Sequence, residues 1–389
     1  MRVAIFTDND FEKVNGVTTT LTAALRGQPE DVRVRVYTAA DTGAEREEYF
    51  ALRSIGVGIP YYSEMKMYVP RFLAFLRRAR ADAIDVVHYT TPGPVGLAAM
   101  FVASRLRVPM VGSFHTQLAE YTALLSGRQW LGDLMREYQR WPYGRCQRVL
   151  VPSEATRALL IAAKIRAEKI RLWPRGVDTT RFSPARRSDT IRARWGVGPQ
   201  RPALLYVGRL SREKGLDLIP SIARTLRDAG VAHRFVFVGD GPMRATLQAA
   251  CPDAVFTGSV PHGRVGELMA SADLFVFPSR TDTLGNVVLE AQAAGLPVLV
   301  SDEGGPRENI DPHKTGIVCR EATADAMSAW TARLASDGER RAAMSAAARA
   351  FAIERSWTRA LAPLYQTYRE AHRTTVPVPA VSAVDSVWS

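Results

Sequence analysis

The stretch 274–310, LFVFPSRTDTLGNVVLEAQAAGLPVLVSDEGGPRENI, alternates two kinds of segment. LFVFPS and LPVLVSD are continuous apolar runs, as expected of strands buried on both faces of a parallel sheet. Between them a polar loop with Ser279, Asp282, Thr283, Leu284, Gly285 and Asn286 runs into a helix that holds Glu290. A strand that feeds a helix N-terminus through such a loop leaves backbone N–H groups free at the carboxyl edge of the sheet. That edge is a seat for a phosphate. Asp282 stands before the turn and Glu290 one or two turns into the helix, so both carboxylates can flank one ligand. A carboxylate pair around a phosphate seat fits hydroxyl recognition on a sugar or ribose. A turn-capping Asp and a salt-bridged Glu would satisfy the same spacing.

Upstream, ALLYVGRLSREKGLDLIPSIART (203–225) repeats the strand–glycine–helix pattern, with Arg209 and Lys214 across the turn. An anion at that helix start would meet the dipole and two cations. HRFVFVGDGP (233–242), AVFTGSV (254–260) and GIVC (316–319) complete the second half. The first half has the same grammar: RVAIFTD (2–8), a loop ending at Gly16, a helix, VRVRVYTA (32–39), IDVVHYT (84–90), PMVGSFHT (109–116) and RVLVPSEATRALL (148–160). Ser153 is the expected N-cap of the helix after the last of these. Residues 41–60 read as loop with a short strand at 55–59. Residues 61–82 place Tyr61, Tyr62, Met65, Met67 and Tyr68 ahead of an arginine-bearing helix. His115 and His88 each end a strand, the usual address of a crevice residue in a doubly wound domain. Either one also fits as a packed, hydrogen-bonded histidine.

The chain has 389 residues, which points to two domains of about 190 each. Its net charge of +12 comes largely from arginine scattered beside alanine on helices. With no basic motif interleaved with aromatics, nucleic acid is not an expected partner. Three cysteines far apart fit a reducing compartment, and no signal peptide or apolar run of about 18 residues is evident. The expected location is cytoplasmic, with a peripheral seat on the inner face of the membrane open. Asp8 and Asp10 form an Asp-x-Asp pair, but with no third ligand no metal is expected; no zinc spacing is present. There is no GxGxxG followed by an acidic residue and no GxxxxGK[ST], which weakens a dehydrogenase or P-loop reading.

Taken together, Arg209 with Lys214, the loop 279–286, and Asp282 with Glu290 resemble the signature of family 4 glycosyltransferases. HYTTPGP, SFHT, VPSEAT and RGVDTTRFSP resemble the bacterial GDP-mannose-dependent alpha-mannosyltransferases and sulfolipid synthases within that family. The resemblance spans about residues 2–371. It implies an α/β chain of the GT-B fold, two doubly wound Rossmann-like domains facing each other across a cleft. The acceptor domain would be 1–185 and the nucleotide-sugar domain 186–355. A helix at 356–372 would cross back to the first domain, ahead of a loose tail at 373–389. It further implies that Arg209 and Lys214 contact the diphosphate with the backbone of Leu284, Gly285 and Asn286. Asp282, where the family usually has glutamate, would contact the transferred sugar, and Glu290 the ribose. Gly16 would approach the phosphate, His115 the sugar near its C6 hydroxyl, and the backbone at Gly258 and Val260 the base. The donor implied is GDP-mannose ahead of UDP-glucose or UDP-sulfoquinovose, with no metal and with a lipid or glycan acceptor. The arginines of 61–82 fit contact with an anionic membrane surface or an ordinary solvated helix. A catalytically silent sugar-nucleotide or glycan-binding protein is the alternative class, and the oligomeric state is open.

Overall fold

The computed structural model describes residues 1–9, 11, 15–59, 62–69, 71–321 and 323–374. Asp10, Tyr61 and most of the expected tail lie outside them. Two parallel sheets organise the chain. The first holds β1 (Arg2–Phe6), β2 (Arg33–Ala40), β3 (Ala44–Arg46) and β4 (Tyr49–Arg53). A hairpin of β5 (Gly56–Ile59) and β6 (Tyr62–Tyr68) stands apart from it. The first sheet then resumes with β7 (Val86–Tyr89), β8 (Met110–Ser113), β9 (Arg148–Val151) and β10 (Ile170–Leu172). Its order is β10-β9-β8-β7-β1-β2-β4-β3, parallel except for β3 against β4. The second sheet holds β11 (Ala203–Val207), β12 (Arg234–Val238), β13 (Val255–Gly258), β14 (Leu274–Phe277), β15 (Val298–Ser301) and β16 (Gly316–Cys319). Its order is β13-β12-β11-β14-β15-β16.

The buried strands of the second sheet are the apolar runs of the sequence: Leu274, Phe275, Val276 and Phe277 are all buried, as are Val298, Leu299 and Val300. In this strand order the direction in which the chain adds strands to the sheet reverses between β11 and β14. Loops leaving those two strands diverge to opposite faces and open a crevice at their carboxyl ends. In the first sheet the reversal lies between β1 and β7.

Two features differ from the sequence reading. Residues 41–60 form two further strands of the first sheet besides β5, and 62–68 is a strand rather than a lead-in to a helix. β3 is three residues long and exposed, and β4 buries only Ala51, so neither carries the continuous buried apolar run that marks the interior strands. The turn after Arg209 does not enter a helix at once. Two 3₁₀ turns, Arg212–Lys214 and Leu216–Leu218, come before the helix Ile219–Asp228. Gly215 at φ +71° separates them, and a Cβ there would lie 2.2 Å from the Pro278 carbonyl.

The last helix, Trp357–Arg373, returns to the first sheet. Its Leu361, Leu364, Tyr365 and Tyr368 join Val3, Ile5, Val34, Val86 and Val111 in one apolar cluster. The chain therefore passes between the two halves twice, and the passes touch: Val177 bridges Ser356. Gly176 permits this, since a Cβ there would meet the Trp357 backbone at 2.5 Å.

Candidate active site

At the crevice between β11 and β14, Lys214 from the loop after β11 meets Asp282 of the loop 279–286, and Arg209 stands at the start of the first of these loops. Gly208 (φ +146°) and Gly239 (φ +133°) follow β11 and β12, and a Cβ on Gly239 would sit 2.0 Å from the Gly208 carbonyl. The backbone here is too close-packed for side chains, which brings it to the surface of the crevice. Lys214 Nζ donates to both oxygens of Asp282, at 3.0 and 2.9 Å. Burial works against the Lys214 ammonium. Asp282, Tyr121 and Tyr206 outweigh it and hold the lysine pKa well above its ordinary value. Lys214 is therefore a fixed cation at the crevice.

Gly285, at φ +71°, is the N-cap of the helix Asn286–Ala293. The GGPRE turn braces this loop from behind: Gly305 N–H donates to the Asp282 carbonyl, and a Cβ on Gly305 would lie 1.9 Å from the Thr283 carbonyl. Asn309 Nδ2 holds the Leu284 carbonyl at 2.8 Å. Glu290, buried on the same helix, faces His262 Nε2 at 3.5 Å. Arg181 donates to the other nitrogen of His262 at 2.8 Å, so His262 presents its Nε2–H to Glu290. Asn286, Glu290 and His262 line a cleft of about 1090 Å³ between the two halves. Its other walls are the first helix at Thr18 and Thr22, the linker 176–182 and the last helix at Trp357 and Tyr365. Gly258, at φ +69°, ends β13, and its carbonyl accepts from Gly239 N–H. Val260 packs on the core of the second half.

Several contacts tie the second half to the first. Thr283 Oγ1 donates to the His115 carbonyl at 3.0 Å, and the Thr283 carbonyl accepts from Ser153 Oγ at 2.7 Å. Ser153 also caps its own helix, as its sequence position indicated. Asn286 Nδ2 reaches the Gly16 carbonyl at 3.4 Å. Glu308 accepts from the N–H groups of Glu154 and Ala155, both at 2.7 Å, so a carboxylate of one half seats on a helix N-terminus of the other. Arg307, its neighbour, instead donates to the Asp302 carbonyl.

On the first sheet, His115 spends both ring nitrogens inside the protein: Nε2 on Ser113 Oγ at 2.7 Å and Nδ1 on Arg175 at 3.2 Å. Burial, then Arg175 and His88, depress its pKa well below the ordinary histidine value. His88 is fully buried between Tyr368 and Ser113, and burial followed by Arg175 pushes it down to about 3. Asp8 accepts from the Thr91 hydroxyl and from Val95 and Gly96 N–H, which makes it the cap of the helix Pro94–Leu106. Burial outweighs those bonds and raises its pKa.

The amino-terminal part, residues 14–181, matches the model of Glycosyltransferase Family 4, and residues 187–351 match that of Glycosyl transferases group 1. A GDP-mannose-dependent alpha-mannosyltransferase of Mycobacterium tuberculosis is 36% identical over 330 residues, 82% of this chain and 83% of the relative. The chain belongs to glycosyltransferase family 4. Sulfoquinovosyl transferase SQD2 of Arabidopsis thaliana is 35% identical over 280 residues, 69% of this chain and 53% of that protein. Among solved structures, sucrose-phosphate synthase of Thermosynechococcus elongatus superposes with a TM-score of 0.74 at 19% identity, covering 95% of this chain and 98% of that one. HepE of Anabaena, solved with UDP-glucose, gives 0.74 at 17% identity, over 95% and 100%. These place the transferase in the GT-B fold.

Sequence reasoning on the transferase did not find His262, Arg181, Tyr121, Ser113, Arg175, Tyr368 or the seat of Glu308. Apart from Ser113, which also bonds His115 two residues on, each acts through a partner far along the chain, and no local pattern marks such pairs. His262, next to the Gly258–Val260 segment, carried the nearest thing to a signal.

Proposed function

We propose that this glycosyltransferase moves a mannose from GDP-mannose to a hydroxyl of a lipid-linked or glycan acceptor, with retention of the anomeric configuration. The observation that carries the reading is the crevice at the β11/β14 reversal, where Lys214, Asp282, Arg209 and the Asn286–Ala293 helix start converge. The mannosyl donor rests on the similarity to GDP-mannose-dependent enzymes, among them also one of Corynebacterium glutamicum, 30% identical over 97% of this chain.

In this reading the diphosphate lies over the backbone N–H groups of Leu284, Gly285 and Asn286, between Arg209 and Lys214. An ammonium carries three protons. Two of those on Lys214 go to Asp282, and the third serves a phosphate oxygen. Asp282, held by Lys214, accepts from a sugar hydroxyl, while Glu290, braced by His262, accepts from the ribose. Gly258 and Val260 frame the base, Gly16 lets the first helix start approach the phosphate, and His115 borders the sugar. The leaving diphosphate takes the acceptor proton on the same face from which it departs. Arg209 and Lys214 stabilise the charge that develops on it, work that needs no resident metal. The two halves, clasped at Thr283 and Glu308, exclude water from the sugar.

The acceptor domain also offers a surface for an anionic membrane. Val57, Met67 and Leu73 are exposed beside exposed Arg71 and Arg77, whereas Arg78 is spent on Asp82 and Glu45. No helix among the described residues is long and apolar enough to cross a membrane; the exposed apolar and arginine side chains suit peripheral contact.

The test is release of GDP from GDP-mannose in the presence of lipid extracts, with UDP-glucose and UDP-sulfoquinovose in parallel. Acceptor-dependent GDP release with an alpha-mannosyl product supports the reading. A response confined to UDP-sugars moves the function to the second reading, which the similarity to the sulfoquinovosyl transferase favours. No acceptor-dependent turnover with any donor returns the chain to a sugar-nucleotide-binding role.

A further inference from the structure

His115 is part of a buried chain of polar groups that joins four elements. Arg175, just beyond β10, donates Nη1–H to the Trp173 carbonyl at 2.7 Å and Nη2–H to His115 Nδ1 at 3.2 Å. His115 Nε2 meets Ser113 Oγ at 2.7 Å; Ser113 Oγ meets His88 Nε2 at 2.7 Å; His88 Nδ1 meets Tyr368 Oη at 2.6 Å. Ser113, His88 and Tyr368 are wholly buried and Arg175 almost so. Tyr368 lies on the helix Trp357–Arg373, which packs on the first sheet.

The chemistry at one end of this chain fixes the state of His115. A guanidinium only donates. His115 Nδ1 must therefore accept, and the ring proton must sit on Nε2, where it donates to Ser113. Turning the ring over would set Arg175 against a carbon and leave a buried N–H without its acceptor, which burial makes costly. Ser113 is itself pinned through His88 to Tyr368. The carbonyl of the same His115 receives Thr283 of the donor loop. Arg175 has a second notable feature: among the described residues no carboxylate pairs with it, and its guanidinium lies 4.4 Å from the centre of the Trp173 ring. It is held by neutral acceptors and an aromatic face, and it spends one donor on a histidine ring.

We propose that Arg175 and Tyr368 are positioning residues that act through His115: together with Ser113 and His88 they lock its ring in one orientation and one tautomer beside the donor loop. The inference rests on the reading that His115 borders the transferred sugar. It adds that the last helix, through Tyr368, holds a residue of the reaction centre rather than only covering the sheet. The sugar then meets a histidine ring held in one place, with both nitrogens already bonded, and Thr283 meets a fixed carbonyl, each time the two halves close.

The direct test is imidazole ¹⁵N spectroscopy of the full chain labelled at histidine, with the His115 signals assigned by their loss in H115N. The expected spectrum has His115 neutral with the proton on Nε2 only. In R175M that exclusivity is lost and both tautomers are seen, and R175K restores it. Steady-state transfer by Y368F and R175M is expected to show kcat about tenfold lower with the donor KM within twofold of wild type. A wild-type His115 protonated on Nδ1 overturns the proposal even if every variant folds poorly. So does wild-type kcat in Y368F and R175M, whatever their melting temperatures. H115A with wild-type turnover would instead remove the sugar-bordering reading of His115, and the spectrum alone would then decide whether the lock exists.

Discussion

The two sheet edges that face each other across the cleft are built alike and equipped differently. At the β11/β14 edge, charge stays at the surface of the crevice: Lys214 against Asp282, and Glu290 against His262. At the edge of the first sheet the polar groups are spent inward. Asp8 caps a helix, and His88, Ser113 and His115 are bonded to one another and kept neutral by burial. In the proposed reading the charged edge holds the diphosphate and the inward-bonded edge is a wall beside the sugar. A shared fold thus says where a ligand sits, and the electrostatics of each edge say which part of the ligand it takes.

The contrast breaks most readily at Arg209. R209A is expected to lower turnover by about 10²–10³-fold, the usual loss when one donor to a developing anion is removed. Near-normal kcat in this variant would mean that the β11/β14 edge does not carry the leaving group.

Gly215→Ala comes next. It combines positive φ with a Cβ 2.2 Å from the Pro278 carbonyl, and it should cost about 2–3 kcal/mol of stability while displacing Lys214. Chemical denaturation together with donor KM measures both effects, and an unchanged midpoint would refute the close packing of the two loops.

The neutral edge has a pH signature. His88 has its pKa depressed to about 3 in the folded protein, so the unfolded chain takes up the proton first. The stability contributed by His88 is therefore full above about pH 6.5 and is lost as pH falls from there toward 3. At pH 5 the loss is about 2 kcal/mol for this residue. Denaturant midpoints at pH 7.5 and 5.0 should differ more for wild type than for H88N; equal differences would show that His88 is not held neutral. The smallest effect belongs to the clasp. E308A should cost about 1 kcal/mol, the worth of a helix cap, and lower kcat a few-fold by loosening closure. A wild-type melting curve for E308A would argue against the contact with Glu154 and Ala155.

The charged edge was the more legible of the two in the sequence. Apolar strands at 203–207 and 274–277, each followed by glycine and polar residues, located the crevice, and Arg209, Lys214, Asp282 and Glu290 lay within it. Their pairing was not legible, because Lys214 and Asp282 are 68 residues apart and meet only when β11 and β14 become neighbours. The neutral edge showed only as two histidines at strand ends. Their partners Ser113, Arg175 and Tyr368 come from three elements, the last of them 280 residues from His88. The strands at 44–46, 49–53 and 62–68 were missed for a different reason. β3 and β4 lie at the margin of the first sheet and β6 in a separate hairpin, away from the doubly covered interior where a strand reads as one apolar run.

The central claim is that the diphosphate belongs to the β11/β14 edge and not to its neutral counterpart. Calorimetric titration of GDP into wild type, R209A and H115A tests it most directly. The account predicts binding by wild type, affinity at least tenfold weaker in R209A, and affinity within twofold of wild type in H115A. Wild-type affinity in R209A, or affinity at least tenfold weaker in H115A, would contradict it.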